Sequence, residues 1–306
     1  MTGYGRSATA EQVSEGIDLT GKHALVTGAN TGIGKETVRV LALRGAHVTM
    51  ACRNQEKAEQ ARRQIVDTSD GRILIGQLDL LELDLNALAS VRKSAASFNG
   101  RGVSLDLLIN NAGIMIPMER RTEDDFEAHL GINHLAHFLF TNLIMESLTK
   151  SEGCRVVCVA SSAMGMATLT PALEDLNWKQ RKHSGFRSYG DSKLMNLMFA
   201  RELNRRQGKN GVVANALHPG VIATELARDQ SLPFMAMGIF MLPFMKSVPR
   251  GAATSIYVAT NPDYASRGGL FFSDCREKKP AHKLALNDQA CTDLWQRSCE
   301  LTGLPM

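Results

Sequence analysis

Short apolar runs alternate along this chain with longer stretches in which apolar residues recur every three to four positions. His23–Thr27 (HALVT), His47–Cys52 (HVTMAC), Leu105–Asn110 (LDLLIN), Arg155–Ala160 (RVVCVA) and Val212–Leu217 read as strands, bounded by polar or turn-forming residues. A further strand lies within Ile73–Asp84, and a last short one covers Gly269–Phe272. Helices are predicted from Gly32 to about Leu43, in the charged stretch after Asn54, from Glu123 to Leu148, and from Ser188 to about Gln207. Continuous apolar strands that alternate with helices require cover on both faces, which implies a parallel sheet. With right-handed crossovers the expected fold is α/β: a single-domain, doubly wound, Rossmann-type sheet of about seven strands with helices on both faces. No Pro/Gly/Ser-rich linker or internal repeat divides the chain. Residues 1–19 read as a polar N-terminal arm and residues 20–306 as the domain, with a loop near residues 225–250 set aside for substrate.

Composition narrows the setting. Hydrophobic residues make up 44% and charged residues 22% of the 306, as in ordinary globular proteins. The formal net charge of +4 is mild and scattered, so no nucleic-acid partner is expected. Cys52, Cys154, Cys158, Cys275, Cys291 and Cys299 form no C-x-x-C pair or zinc-ligand spacing, and are expected to be reduced, structural residues of a cytoplasmic protein. The first twenty residues carry no apolar signal region. The longest apolar run, Leu232–Met245, is too short to span a bilayer and contains Pro233, Gly238 and Pro243.

The first strand leads into Thr27-Gly28-Ala29-Asn30-Thr31-Gly32-Ile33-Gly34, which opens a helix. Glycines there allow a tight turn and close approach of the backbone to a pyrophosphate, and the helix start favours the anion. Sites for NAD place a carboxylate at the end of the second strand. Here that strand ends Ala51-Cys52-Arg53-Asn54, so Arg53 is expected to pair with a 2′-phosphate and the cofactor to be NADP(H), with Lys35 adding to the field.

Tyr189-Gly-Asp-Ser-Lys193 places a phenol and an ammonium on one helical face. A tyrosine with a pKa near 10 is a poor base at neutral pH, and a neighbouring ammonium is expected to lower that value. Ser161-Ser162 follow the Val156–Ala160 run, Asn110-Asn111-Ala112-Gly113 follow another strand, Asn133 lies in the long helical stretch, and Leu217-His218-Pro219-Gly220 end a further strand with Thr224 close behind. Strand C-termini are where open α/β sheets bind ligands.

Taken in this order, T-G-x-x-x-G-I-G, N-N-A-G, S-S, Y-x-x-x-K and P-G resemble the short-chain dehydrogenase/reductase family over roughly residues 20 to 303. The resemblance implies Tyr189 as proton donor or acceptor and Lys193 as the partner that binds the nicotinamide ribose. It implies Ser162, with Ser161 as the adjacent candidate, as the holder of the substrate oxygen, and Asn133 as anchor of a relay water. Gly28, Asn30, Thr31, Gly32, Ile33, Gly34, Arg53 and Asn54 would bind the cofactor. Asn110, Asn111, Ala112 and Gly113 would line its cleft, and Pro219, Gly220, Val221 and Thr224 would surround the carboxamide. Leu78–Leu85 offers two registers for an adenine contact: Asp84, followed by Leu85, or Asp79. The motifs at Ala51–Asn54, Asn133–Phe138, Asp175–Trp178, Phe272–Cys275 and Ser298–Pro305 are similar to those of retinol dehydrogenases and the WW-domain oxidoreductase. That branch implies NADP(H) and retinoid, steroid or lipid-derived substrates. Unlike those relatives, the chain shows neither an N-terminal membrane segment nor WW modules.

Four of the fourteen residues in Leu232–Met245 are Met, which suits a flexible cover over an apolar alcohol or carbonyl, with Ile114–Met118 as the facing wall. The expected partner is that small apolar substrate; peripheral membrane contact and homo-oligomerisation stay open. Glu174 and Asp175 read as a solvated loop. His134 and His137 are spaced i, i+3 but have no third ligand, so no metal is expected. The expected reaction is alcohol/carbonyl interconversion. The alternatives are a non-catalytic NADP(H)-binding scaffold or a carbon–carbon double-bond reductase.

Overall fold

The structure is a computed structural model and describes residues 3–170, 172–222 and 245–305. Its strands are β1 (His23–Thr27), β2 (His47–Cys52), β3 (Leu78–Glu82), β4 (Leu107–Asn110), β5 (Cys154–Val159), β6 (Val212–His218), β7 (Phe271–Ser273) and β8 (Arg276–Glu277). They form one sheet in the order β3-β2-β1-β4-β5-β6-β7-β8, parallel except for β8. The fold is thus the expected doubly wound α/β sheet, with one strand more than read from the sequence. Asp274 and Cys275 both have positive φ (53° and 55°), the backbone that a two-residue hairpin turn needs to bring back the two-residue β8.

Helices α1 (Ala10–Val13), α2 (Gly32–Leu43), α3 (Gln55–Asp67), α4 (Leu88–Asn99), α5 (Ala136–Leu143), α6 (Met145–Thr149), α7 (Gly185–Gln207), α8 (Val248–Thr260) and α9 (Asp288–Thr302) are distributed over the two faces. Successive strand residues serve opposite cores: Leu25 and Val156 join Phe98, Phe138, Leu203 and Trp295, while Val26 and Val157 join Val38, Ile65 and Ile256. Both faces being apolar explains why these strands read as continuous runs rather than alternating ones.

Two local expectations change. Residues 3–19 are not a free arm: Thr9 caps α1, Ala8, Ala10, Val13 and Leu19 are buried, and Arg39 of α2 holds Glu11 at 2.5 Å. The helical stretch begins at His129 rather than Glu123. Thr122 N–H donates to the Phe126 carbonyl, and Asp125 adopts a left-handed φ of 60°, closing a turn first. The Glu127 carboxylate then accepts the Leu130 N–H. The first turn, His129–Leu135, is π-helical, a form often found at functional sites. Among the described residues no helix is long and apolar enough to cross a membrane.

Candidate active site

Strand order reverses between β1 and β4, and this opens a crevice at their C-terminal ends. The Thr27 hydroxyl oxygen, at the end of β1, accepts the N–H groups of Asn111 (3.0 Å) and Ala112 (2.9 Å), and Asn111 Nδ2 donates to the Thr27 carbonyl (2.8 Å). The N-N-A-G turn is thereby sewn to the glycine loop. Asn110 departs from expectation: its side chain turns into the core and donates to Thr141, away from the crevice.

Each glycine of the loop has its own reason. Gly28 and Gly32 have positive φ, 64° and 54°. At Gly34 the constraint is space, since a Cβ would lie 2.2 Å from the Gly28 carbonyl oxygen. Thr31 is the N-cap of α2 and makes no side-chain cap bond, so nothing from that side chain blocks the helix start. Asn30 precedes it in the loop, and Ile33 is partly buried against the core beneath. A close-packed cradle with free helix N–H groups fits a pyrophosphate.

Arg53 is exposed beyond β2, with no hydrogen-bond or ion-pair partner among the described residues. Asn54 caps α3, its Oδ1 accepting the Lys57 N–H at 2.8 Å, and Lys35 reaches Gln64. Cys52 pairs with Glu82 in the β2–β3 register, so Asp84 falls beside Asn54 just beyond the strand ends, followed by buried Leu85. Asp79 instead lies within β3, bound to His47 (2.9 Å) and Arg101 (3.6 Å). Pro219, Gly220 (φ 99°) and Val221 leave β6 at the same edge, where the Val221 carbonyl accepts the Lys246 N–H. Thr224 and Leu232–Phe244 lie outside the described residues.

On α7, Lys193 Nζ donates to the Val159 carbonyl (3.0 Å), and a Cβ on Gly113 would sit 3.2 Å from it. Asn133 holds Ile114 in both directions, Oδ1 accepting its N–H (2.8 Å) and Nδ2 donating to its carbonyl (3.0 Å), and also donates to Ser192 (3.0 Å). Tyr189, Lys193, Asn133, Gly113 and the serines therefore share one region of the crevice. The two serines differ. Ser161 accepts the Ala163 N–H and lies beside the Tyr189 phenol, whose pKa it lowers, whereas Ser162 is exposed with its Oγ 3.4 Å from His218 Nε2.

The electrostatics depart from expectation. Burial pushes the Tyr189 phenol up, with the Ser161 bond only partly opposing it, and burial brings Lys193 down to about 8. The Lys193 nitrogen stands 5.7 Å from the tyrosine ring centroid and spends a bond on Val159, so desolvation outweighs its field.

Several residues of the site carried no sequence signal beyond proximity to a motif. Thr27 is the clamp between the two turns. His137 donates from Nδ1 to the Asn133 carbonyl (3.1 Å) and meets Thr27 Oγ1 through Nε2 (2.9 Å), while His134 faces Ser298 instead. Burial lowers His137 to about 4 and His218 to about 4. Asp175 is not solvated: its carboxylate accepts the N–H groups of Lys179, Gln180 and Arg181. Arg181 stacks on Trp178 at 3.6 Å and pairs with Asp191, two residues from Tyr189.

Comparison with known proteins converges on one group. A family model described as short chain dehydrogenase matches residues 22–171. Retinol dehydrogenase 12 of Mus musculus is 42% identical over 289 residues, covering 94% of this chain and 88% of the relative. A crystal structure of an uncharacterised protein from Mycobacterium paratuberculosis superposes with a TM-score of 0.74 at 34% identity, covering 96% of this chain and 98% of that one. A short chain dehydrogenase from Burkholderia cenocepacia, solved in complex with NADP, superposes with a TM-score of 0.64 at 26% identity, covering 83% of this chain and 96% of the other.

Proposed function

This chain belongs to the short chain dehydrogenase family, in the retinol dehydrogenase branch, and on that premise we propose that it is an NADP(H)-dependent oxidoreductase that interconverts an apolar, lipid-like alcohol and its aldehyde or ketone. Oxidoreductase chemistry on alcohol and carbonyl groups follows from the family. The 2′-phosphate of the cofactor and an apolar substrate are part of the proposal. The observation that carries it is the meeting of Tyr189, Lys193, Asn133 and the Ser161–Ser162 pair at the edge of the crevice where the glycine cradle opens.

NADPH, when bound, supplies the hydride for carbonyl reduction. The chain's residues do the rest. Gly28–Gly34 and the start of α2 hold the pyrophosphate, and Arg53 holds the 2′-phosphate, with Asn54, Asp84 and Leu85 beside the adenosine end. Asn111, Ala112, Gly113, Pro219, Gly220 and Val221 flank the nicotinamide end. Tyr189 delivers its phenolic proton to the substrate oxygen as charge develops there, and Lys193 stabilises the phenolate left behind. Asn133 is assigned to anchor the water that returns that proton. Burial favours the protonated phenol, the form that carbonyl reduction requires. An NADPH-oxidation screen across retinal, steroid ketones and medium-chain aldehydes tests the reading. Tight NADPH binding without consumption of cofactor with any carbonyl would overturn it.

Ser162, exposed and free of a cap bond, is proposed to hold the substrate oxygen, while Ser161 orients the phenol. Ser162→Ala is therefore expected to lower kcat/KM by about tenfold to a hundredfold, the loss of one hydrogen bond to developing charge. Ser161→Ala should act mainly on the pH profile by freeing the phenol. Parallel kcat/KM-versus-pH curves for the two variants check this, and a larger kcat/KM loss in Ser161→Ala would exchange the roles.

Arg53→Asp is expected to lower the NADPH/NADH ratio of kcat/KM by about a hundredfold or more, since it replaces a charge-assisted bond to phosphate by repulsion. An unchanged ratio would remove Arg53 from the cofactor site.

A further inference from the structure

Glu127, His129, His183 and Ser188 form a buried polar cluster beside Tyr189 that the reaction as proposed leaves without a task. Glu127 Oε1 is 2.9 Å from His129 Nδ1 and 3.2 Å from His183 Nε2. Ser188 Oγ is 2.9 Å from the former nitrogen and 3.3 Å from the latter. Burial alone would raise the Glu127 carboxyl, but the bonds and charge of His129, the Leu130 N–H and His183 outweigh it and bring it down to about 2. The cluster therefore presents a carboxylate to His129.

The other nitrogen of His129 faces away from the cluster. Nε2 accepts the backbone N–H of Ile116 at 3.0 Å. An accepting Nε2 carries no hydrogen, so the ring proton sits on Nδ1, where Glu127 and Ser188 receive it. This tautomer leaves Nδ1 without a lone pair. Glu127, His129 and His183 bring ligand-type atoms within 4.8 Å of one another, but in this arrangement they are not a metal site.

Ile116 belongs to the segment Ile114–Met118, which leaves the N-N-A-G turn with Ile114 and Ile116 partly buried against the core and ends at exposed Met118. Asn133, four residues after His129, holds Ile114. Both anchors come from the one π-helical turn. On its other side the segment packs on Gly185, where a Cβ would be 2.4 Å from the Ile116 carbonyl oxygen, one helical turn before Tyr189. The His129 ring also meets the Tyr189 ring edge-on, centroids 5.8 Å apart.

We infer that His129, oriented by Glu127, is a positioning residue that fixes Ile114–Met118 as the wall against the apolar part of a carbonyl substrate, and so sets affinity for long substrates without joining proton or hydride transfer. The inference rests on the Tyr189-centred reading above and adds to it a determinant of substrate affinity.

Two substitutions separate the functions of the two ring nitrogens. His129→Gln places an amide oxygen near the position of Nε2, keeping an acceptor for Ile116. His129→Asn keeps a donor near Nδ1 for Glu127 and Ser188 and loses the Ile116 contact. The probes are octanal and propanal with NADPH. For His129→Asn the expected result is a rise of about tenfold in KM for octanal, the loss of one buried backbone bond. Its KM for propanal, kcat and NADPH affinity should change little, and amide exchange at Ile116 should be faster. His129→Gln is expected to restore both KM and slow exchange. Glu127→Asp, which draws the carboxylate back from Nδ1, should shift KM in the same direction as His129→Asn and serves if that variant does not fold. Equal behaviour of the Asn and Gln variants, or a loss confined to kcat, would overturn the inference. Wild-type enzyme that oxidises no NADPH with either aldehyde would instead count against the parent reading, and Ile116 exchange would still decide whether His129 holds the wall.

Discussion

Tyr189→Phe is expected to lower the rate of NADPH-dependent aldehyde reduction by about 10²–10⁴-fold, the range that a positioned general acid contributes. NADPH affinity should be nearly unchanged. The substitution removes one oxygen and leaves the ring, its edge-on contact with His129 and the fold of α7 in place. The cofactor cradle, Gly28–Gly34 with Asn111 and Ala112, is built from other elements and does not depend on the hydroxyl. Ser161, beside the phenol, keeps its bond from the Ala163 N–H without it. Steady-state NADPH oxidation, set beside a fluorescence titration of NADPH, checks both halves. Turnover kept within about tenfold of wild type would transfer the proton step to another group. A parallel loss of NADPH binding would show that the site had collapsed rather than lost its acid.

Gly34→Ala is expected to destabilise the protein and weaken cofactor binding together. Its Cβ would lie 2.2 Å from the Gly28 carbonyl oxygen, 2.9 Å from the Gly28 carbonyl carbon and 2.6 Å from Asn111 Nδ2. Two of these three atoms are backbone, so no rotamer change relieves the contact. The first turn of α2 and the end of β1 must move apart. Overpacking of this kind costs about 1–3 kcal/mol or more. The strain falls on the loop whose N–H groups face the pyrophosphate, so a rise of at least about tenfold in the NADPH Kd is expected as well. Gly76→Ala is the control, because a Cβ there meets nothing within 4 Å. Urea midpoints and NADPH titrations of the two variants decide the matter. Equal stability of Gly34→Ala and wild type would mean that the contact between the loop and α2 is looser than described.

Features written locally in the chain were legible. The strands His23–Thr27, His47–Cys52 and Arg155–Ala160 announced themselves as apolar runs because both faces of the sheet are covered. The glycine loop and the Tyr189–Lys193 spacing were legible for the same reason: each requirement is met within eight residues of backbone. Features that depend on a partner elsewhere were not. The polar composition of residues 1–19 hid a spaced set of small and apolar residues that bind the N-terminal segment to the sheet's cover. Asp175 looked solvated because its three N–H donors belong to a turn with no periodic signature. The β8 strand is two residues long and exists only because Asp274 and Cys275 take a left-handed turn.

The chain by itself determined the sheet, its glycine cradle, the Tyr189–Lys193 pairing on one helix, and the family to which they belong. Each of these follows from residue type and short-range spacing, which the backbone converts directly into geometry. Tertiary structure alone decided between neighbours: Asp84 rather than Asp79 at the strand ends, through the Cys52–Glu82 register, and Ser161 rather than Ser162 against the phenol. It also decided that burial outweighs Lys193 at the Tyr189 phenol, and that His129 is held by Glu127 and turned toward Ile116. The physical reason is common to all four. Desolvation and hydrogen-bond direction depend on which atoms from distant parts of the chain arrive within about 3 Å of a group, and that is settled only when the elements pack.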